Sequence, residues 1–211
     1  MKLPIEAIDL ILQFEIGGSR KYYDRFLAKP SWPGGASGVT IGIGYDLGYS
    51  KGKFESDWDG KFDDSTMVRL SRCLGLTGTR GKAATSGVRD IVIPWEDAMD
   101  VFENATLPDY IDQTLNAFPN SENLPPAAFG ALVSVVFNRG PLIDGSDRRK
   151  EMREIRNILA LGNDKDVDAD DIRAIAKQVK AMARLWPDNI KSDNDLHDRR
   201  IAESELILSS I

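Results

Sequence analysis

The chain has 211 residues, enough for a domain with a sizeable buried core, and a formal net charge of −6. This acidic balance argues against general electrostatic binding of nucleic acid, which requires a clustered basic surface. One cysteine and one histidine exclude an internal disulfide, a cysteine-rich metal site and a zinc site built from two or three histidines. No stretch has the roughly 20 apolar residues that a membrane helix needs.

The N-terminal segment MKLPIEAIDLILQFE has acidic residues within its apolar run, so it lacks the uncharged core of a signal peptide. We therefore expect synthesis in the cytoplasm, with another component carrying the protein to any site of action outside. Ile5, Ile8 and Leu12 follow helical spacing, and Gly17-Gly18 supplies a stop. The first helix is predicted to end about two residues after Phe14.

Residues 19–37 are rich in glycine, proline and aromatic residues and include the irregular run KPSWPGG. Residues 38–45, GVTIGIGY, mix β-branched residues with glycine in a strand-like pattern. The two segments together predict a short hairpin with an inserted loop, forming a β-rich lobe over residues 19–50.

The remainder, residues 60–211, predicts seven or eight helices. DDSTMVRLSRCLGL is helical with Asp64 or Ser65 as N-cap, and Pro108 is expected to kink or end the helix that begins at IPWED. Ala127–Phe137 is apolar nearly all round, which is typical of a helix buried in the core. A last helix is predicted from about Asp195 to Leu208. The expected fold is α+β and mostly α, a single domain over residues 1–211 with its β-hairpin lobe packed on a helical bundle.

Glu15 has a chemical context that suits an acid catalyst. In glycoside hydrolysis a protonated carboxyl gives its proton to the leaving oxygen, while an ionised one stabilises positive charge or activates water. Glu15 lies between Phe14 and Ile16 at a helix C-terminus, where apolar neighbours and the helix dipole both raise a carboxyl pKa. From periodicity alone, a solvated carboxylate on the polar helix face is the simpler interpretation.

A family resemblance adds to this interpretation. FE, YYD, TIGIGYDLG, ALVSVVFNRG and RRIAESEL occur in this order over nearly the whole chain. The pattern resembles the phage-type lysozymes, muramidases in which a Glu, an Asp and a Thr share the site. GYDLG, with its Asp six residues after the Thr, is more similar to the pesticin-like muramidase domains of bacterial wall-degrading toxins. The resemblance implies a lysozyme-like fold.

Residue by residue, Glu15 matches the family's general acid and Thr40 the threonine that helps to hold the attacking water. The second carboxylate has two candidates: Asp46, as in the pesticin-like pattern, and Asp24, nine residues after Glu15 as in the simpler phage pattern. The KPSWPGG insertion between Asp24 and Thr40 breaks the short phage spacing, which favours Asp46. Tyr45 stands where the simple pattern has a histidine.

The resemblance implies hydrolysis of the β-1,4 bond between N-acetylmuramic acid and N-acetylglucosamine in peptidoglycan, by inversion and without a metal or organic cofactor. Two settings fit a chain with no targeting signal: a phage lysin released by a holin, or an antagonism effector delivered to the periplasm by secretion machinery. An effector implies a cognate immunity protein as partner. The alternatives are a catalytically inactive peptidoglycan-binding module with a lysozyme fold and an unrelated helical interaction protein.

The resemblance also implies supporting residues. Asn138 matches a sugar-contacting position, with a helix C-cap as its structural alternative. Arg199 or Arg200 matches an arginine that approaches the catalytic Glu, with a solvated helix charge as the alternative. Trp32, in a loop, is the tryptophan best suited to stack on a sugar face.

A cluster of basic residues follows the predicted core helix. The cluster suits contact with wall carboxylates, although a solvated helix face explains it more simply. Its members are Arg148, Arg149, Lys150, Arg153 and Arg156.

Overall fold

A computed structural model describes residues 2–161, 167–186 and 196–211. These residues are mostly helical with one small antiparallel sheet, which confirms the α+β, mostly α class. The chain divides into two compact units, Met1–Phe14 with Asp109–Ile211 and, between them, Glu15–Pro108. The second unit therefore reaches well past the predicted lobe of residues 19–50.

The helices are, in chain order, α1 (Ile5–Ile16), α2 (Arg20–Phe26), α3 (Phe54–Asp57), α4 (Asp64–Ser71), α5 (Gly78–Thr85), α6 (Trp95–Val101), α7 (Leu107–Ala117), α8 (Pro126–Arg139), α9 (Lys150–Leu161), α10 (Ala169–Ala181) and α11 (Leu196–Leu208). The two strands are β1 (Thr40–Ile41) and β2 (Tyr45–Asp46). Among the described residues, the eight helices α4–α11 lie within residues 60–211, where seven or eight were predicted, and the short helices α2 and α3 form in addition. No helix in the described ranges is long and apolar enough to cross a membrane.

The core of the first unit is built on α8, as predicted. All ten residues from Ala128 to Phe137 are buried, and α11 packs against this helix. Gly130 allows α1 to lie close to α8, because a β-carbon at this position would overlap the Ala7 side chain. Helices α9 and α10 complete the unit, with α10 packing on both α9 and α11.

The second unit contains the predicted hairpin in a very short form. Thr40 pairs with Asp46 and Ile41 with Tyr45, leaving a loop of residues 42–44 between the strands. Gly42 and Gly44 both have positive φ, 56° and 72°, which L side chains rarely adopt. The backbone of Ser31 exchanges two further hydrogen bonds with Thr40, of 3.0 and 2.7 Å, so the outer edge of β1 is also covered.

Residues 19–37 were predicted to belong to a β-rich lobe with an inserted loop, but α2 forms within them. Ser19 caps this helix by accepting a hydrogen bond from the Tyr22 N–H. Tyr23 then anchors the helix: its ring is fully buried, its hydroxyl donates to the Ile93 carbonyl at 3.0 Å, and its edge meets Trp95. A tertiary anchor of this kind lets a seven-residue helix form where local propensity is weak.

Two details of the predicted helices also need correction. The N-cap of α4 is Asp63, whose carboxylate accepts from the Thr66 N–H at 2.7 Å, rather than Asp64 or Ser65. Of the two outcomes predicted for Pro108, a kink or an end, the helix does not end there, because a π-helical turn over Phe102–Thr106 widens the backbone and α7 continues past the proline. The predicted start of the last helix at Asp195 lies outside the described residues, and α11 is described from Leu196.

Candidate functional site

The hairpin brings two of the predicted site residues together. Thr40 lies directly opposite Asp46 in the antiparallel ladder. Residues paired in this way project from the same face of the sheet, with β-carbons roughly 4.5–5.5 Å apart. The spacing of six residues between Thr40 and Asp46 therefore produces a hydroxyl and a carboxyl that are neighbours.

The Asp46 carboxylate is held by backbone N–H groups on both sides. Gly38 N–H contacts both carboxylate oxygens, at 3.0 and 3.1 Å, and Gly48 N–H donates to Oδ1 at 2.8 Å. Burial raises the pKa of Asp46 above its ordinary value, and these hydrogen bonds, which favour the ionised form, only partly oppose that shift. The result is a fixed carboxylate that takes up a proton more readily than a solvated aspartate.

Three glycines make this arrangement possible by letting backbone segments cross closely. A β-carbon on Gly38 would lie 2.5 Å from the Gly48 nitrogen and 2.6 Å from Asp46 Oδ1. A β-carbon on Gly48 would lie 2.9 Å from Gly38 Cα, and one on Gly81 would lie 3.0 Å from the same atom. Real β-carbons do not approach so closely, so the position of Asp46 depends on glycine at these crossings.

The Thr40 hydroxyl has an unusual environment for a polar group. Within the described part of the chain, its Oγ1 has no exposed surface and no hydrogen-bond partner. Buried hydroxyls without partners are rare because desolvation costs about 1–3 kcal/mol, and such groups call for an explanation such as an internal water or a functional role. A water on this face could bridge Thr40 Oγ1 and Asp46 Oδ2, which accepts a single hydrogen bond, at 3.1 Å.

Glu15 lies at the end predicted for it. It is the penultimate residue of α1 and is half-buried. Gly17 and Gly18, with φ of 59° and 63°, end the helix immediately afterwards, and a β-carbon at Gly17 would lie 3.3 Å from the Tyr22 ring. Glu15, Thr40 and Asp46 all belong to the second unit.

Asp24, the alternative second carboxylate, has a different environment. It lies on α2 with 55% of its side chain exposed, 3.6 Å from Arg20, whose stronger partner is Glu96 at 2.7 Å. An exposed ion pair of this kind is weak and leaves the carboxylate solvated. The structure therefore gives Asp46, and not Asp24, the half-buried position opposite Thr40.

Comparison with known proteins assigns no family. No family model matches this sequence, and no curated protein matches it at a significant level. The geometry therefore carries the functional argument for this chain.

Trp32 is half-buried and already makes contacts within the second unit. Its indole N–H donates to the Ser37 carbonyl at 2.9 Å, which fixes the loop that leads into β1. The Lys82 ammonium lies 5.4 Å from the ring centroid, and the ring is half-buried. Trp32 thus supports the loop next to Gly38, and one contact on its ring is already made by Lys82.

The other predicted site residues lie in the first unit and are tied to one another. Arg199 and Arg200 are buried, with only 1% and 0% exposure, and both pair with Glu203, at 3.2 and 2.9 Å. Arg200 also donates to Asn138 Oδ1 at 3.3 Å. Neither arginine is the solvated helix charge considered as the alternative, and Gly140, not Asn138, is the C-cap of α8.

Sequence reasoning missed the residues that hold these groups in place. Gly38 and Gly48 were not singled out, although the runs ASGV and DLG flank the hairpin. Glu203 was quoted only as part of RRIAESEL, without a role, and its partner Ser134, which donates to it at 2.7 Å, was not singled out. A polar residue inside the apolar run of α8 and an acidic residue three positions after an arginine pair were the available signals.

A pocket of about 370 Å³ lies elsewhere in the second unit. Its lining includes Lys61, Arg69 and Asp90, and the Arg69–Asp90 ion pair crosses it. None of the predicted site residues lines this pocket. Lys61 and Arg69 are already paired with Asp100 and Asp90, so the candidate site is the hairpin face rather than this groove.

Proposed function

We propose that the chain is a muramidase that hydrolyses the β-1,4 bond between N-acetylmuramic acid and N-acetylglucosamine in peptidoglycan. The observation that carries this proposal is the Thr40–Asp46 pair on one face of the hairpin, in the unit that also contains Glu15. The sequence resemblance requires these three residue types to share a site. The helical fold with a small hairpin is compatible with a lysozyme-like arrangement.

In this mechanism Glu15 is the general acid. Its protonated carboxyl donates to the glycosidic oxygen as the bond to the anomeric carbon breaks, so the leaving sugar departs as a neutral alcohol. The position of Glu15 in the last turn of α1 supports this role, because the helix fixes its backbone while the residue stays only half-buried.

Asp46 and Thr40 act on the attacking water. Asp46 Oδ2 accepts one proton of the water, and Thr40 Oγ1 fixes its oxygen, so that a lone pair points toward the anomeric carbon. The N–H bonds from Gly38 and Gly48 prevent the carboxylate from rotating away. Direct attack by water gives a product of inverted configuration, whose anomeric hydroxyl is first formed as the α-anomer.

The setting that we propose follows from the substrate. The protein is made in the cytoplasm and reaches the periplasm as a holin-released phage lysin or as a delivered antagonism effector, the latter with a cognate immunity protein. Asn138, Arg199, Arg200 and Trp32 are proposed to support substrate binding, directly or by holding neighbouring groups.

The test is hydrolysis of purified peptidoglycan, with product masses read by mass spectrometry and the first-formed anomer read by NMR. Wild-type protein is expected to release muropeptides with a reducing N-acetylmuramic acid end. Asp46→Asn should lower the rate about 100-fold or more, the usual contribution of a general base, while Asp24→Asn stays within a few-fold of wild type. Retained binding without cleavage would instead identify a catalytically inactive wall-binding module.

A further inference from the structure

Tyr49 is a large aromatic residue that lies on the surface of the second unit, three residues after Asp46. With 67% of its surface exposed, it is the most exposed large apolar or aromatic residue in the described part of the chain. Single exposed residues of this kind are common on proteins and need no function of their own. Tyr49 differs from them because its ring is held in place at both ends.

The hydrogen bonds of Tyr49 tie its ring to the backbone that surrounds Asp46. The Tyr49 hydroxyl donates to the Ala36 carbonyl at 2.9 Å, and its backbone N–H donates to the Asp46 carbonyl at 3.1 Å. Ala36 lies two residues before Gly38 in the sequence, and Gly48 comes directly before the tyrosine. The N–H groups of these two glycines hold the Asp46 carboxylate. The ring therefore connects the two backbone segments that fix Asp46.

The loop that receives the tyrosine hydroxyl is itself fixed. The Ser37 carbonyl accepts hydrogen bonds from the Trp32 indole N–H and from the Gly78 N–H, both at 2.9 Å. Ala36 and Ser37 are consecutive, so donors from three separate segments bind two neighbouring carbonyls. Because the Tyr49 ring is anchored to this loop, a ligand that binds on the ring requires little further ordering of the protein.

Phe26, another strongly exposed aromatic residue of this unit, has different contacts. Its ring centroid lies 4.8 Å from that of Tyr22, and the Arg25 guanidinium lies 4.9 Å from it. Among the residues that the structure describes, no aromatic ring and no cation packs on the Tyr49 ring in this way. The Tyr49 ring is thus fixed in position and largely open to solvent.

The ligand class follows from the shape and chemistry of this ring. A β-1,4-linked pyranose carries axial C–H groups on its faces and hydroxyl or acetamido groups around its rim. The C–H faces are apolar and pack on the face of an aromatic ring, while the rim stays hydrated. A tyrosine offers such an apolar face together with a polar hydroxyl, and here the hydroxyl is used to hold the ring on Ala36.

We propose that Tyr49 is a glycan-binding residue whose ring stacks on one pyranose of the chain on which Asp46 and Thr40 act. This inference rests on the proposed muramidase function and adds a substrate contact outside the sequence motif. The tyrosine hydroxyl already donates to Ala36, so Tyr49 takes no part in proton transfer. Its loss therefore raises KM and leaves kcat nearly unchanged.

The binding test uses tri-N-acetylchitotriose, a β-1,4-linked trimer of N-acetylglucosamine. The trimer contains no N-acetylmuramic acid, so it has no bond of the kind that the proposed activity cleaves. It is titrated into wild-type protein with isotope-labelled tyrosine, and the ring signals are followed by NMR. The Tyr49 signals are expected to shift until saturation, whereas those of Tyr23, whose ring is fully buried, stay in place. Unchanged Tyr49 signals would overturn the proposal.

Three variants, each shown to be folded by circular dichroism, separate stacking from support of the loop. Tyr49→Ala should weaken binding of the trimer about tenfold and raise KM for muropeptide release by a similar factor, with kcat within about twofold of wild type. Tyr49→Phe keeps the ring but loses the hydrogen bond to Ala36, so its binding should fall by no more than about threefold. Phe26→Ala is the matched control and should stay within about twofold of wild type.

Two results from these variants would overturn the assignment to Tyr49. Equal losses in Tyr49→Phe and Tyr49→Ala would mean that the hydroxyl bond, and not the ring, carries the effect. Equal losses in Phe26→Ala and Tyr49→Ala would mean that exposed aromatic rings attract the glycan in general. If Tyr49→Ala does not fold, the wild-type titration still decides.

The two proposals can fail separately. A protein that releases muropeptides equally well with and without the Tyr49 ring loses only the stacking residue. A protein that binds the trimer through Tyr49 but releases no muropeptides keeps the glycan site and loses the muramidase function.

Discussion

Two carboxylates, one in each unit, are removed from solvent in different ways. Glu203, in the first unit, is fully buried and accepts hydrogen bonds from two arginines and from Ser134. Asp46, in the second unit, is half-buried and accepts its hydrogen bonds from the backbone N–H groups of Gly38 and Gly48. Cationic partners neutralise Glu203, whereas neutral N–H groups orient Asp46 without cancelling its charge.

This difference separates a structural role from a chemical one. A carboxylate held between two guanidinium groups and a serine hydroxyl joins α11 to α8, and losing it removes the counter-charge that two buried cations share. A carboxylate held only by N–H groups keeps its direction while its proton affinity is raised by burial. We therefore expect substitutions at Glu203 to act mainly on stability, and changes around Asp46 to act on activity as well.

Glu203→Gln is expected to have the largest effect on folding. Removing the anion leaves Arg199 and Arg200 buried without their shared counter-charge, which costs about 3–5 kcal/mol. Urea unfolding followed by circular dichroism measures the loss. The control is Glu205→Gln on the exposed face of the same helix, which should change the free energy of unfolding by less than about 0.5 kcal/mol. A similar small change in both variants would contradict the structural role of Glu203.

Gly38→Ala is expected to have the next largest effect, because its β-carbon would overlap the Gly48 backbone and Asp46 Oδ1. Overpacking of this kind costs about 1–3 kcal/mol. Wall hydrolysis should fall further than the folded fraction does, since Asp46 is displaced. Gly87→Ala, where the new β-carbon would meet its nearest neighbour at an ordinary 3.5 Å, is the matched control for urea unfolding and activity. Unchanged activity in Gly38→Ala would show that Asp46 needs no such support.

The pH dependence of kcat/KM should show the smallest of the three effects. Asp46 must be ionised to accept a proton from water, so kcat/KM falls as pH drops through its pKa. Because burial raises that pKa, the acid limb should lie above 3.8, the ordinary aspartate value. The folded state then binds this proton more tightly than the unfolded state, so the stabilisation is present below 3.8 and is lost as pH rises through the folded pKa. An acid limb at or below 3.8 would exclude Asp46 as the base.

Features encoded locally could be predicted from the sequence. The buried helix α8 follows from a run of apolar residues with no polar face, and the end of α1 follows from Gly17-Gly18. Helix α2 could not be predicted in the same way. Its formation depends on the Tyr23 hydroxyl reaching the carbonyl of Ile93, 70 residues further along the chain.

The sequence predicts the residue types of the candidate site but not the hydrogen bonds that hold their side chains in place. The motif nominated Glu15, Thr40 and Asp46, and the hairpin register then explains why a spacing of six residues matters. The N–H bonds from Gly38 and Gly48 depend on how the backbone segments around Asp46 cross. Sequence spacing does not encode such crossings in any direct way.

The central claim is that Glu15 is the general acid of a muramidase, and one comparison tests it most directly. Wild-type protein and Glu15→Gln are incubated with purified peptidoglycan, and released muropeptides are measured by mass spectrometry after circular dichroism has shown that both are folded. The glutamine is nearly isosteric but has no acidic proton to donate, so release should fall by about 100-fold or more. Release by Glu15→Gln at the wild-type rate would contradict the account.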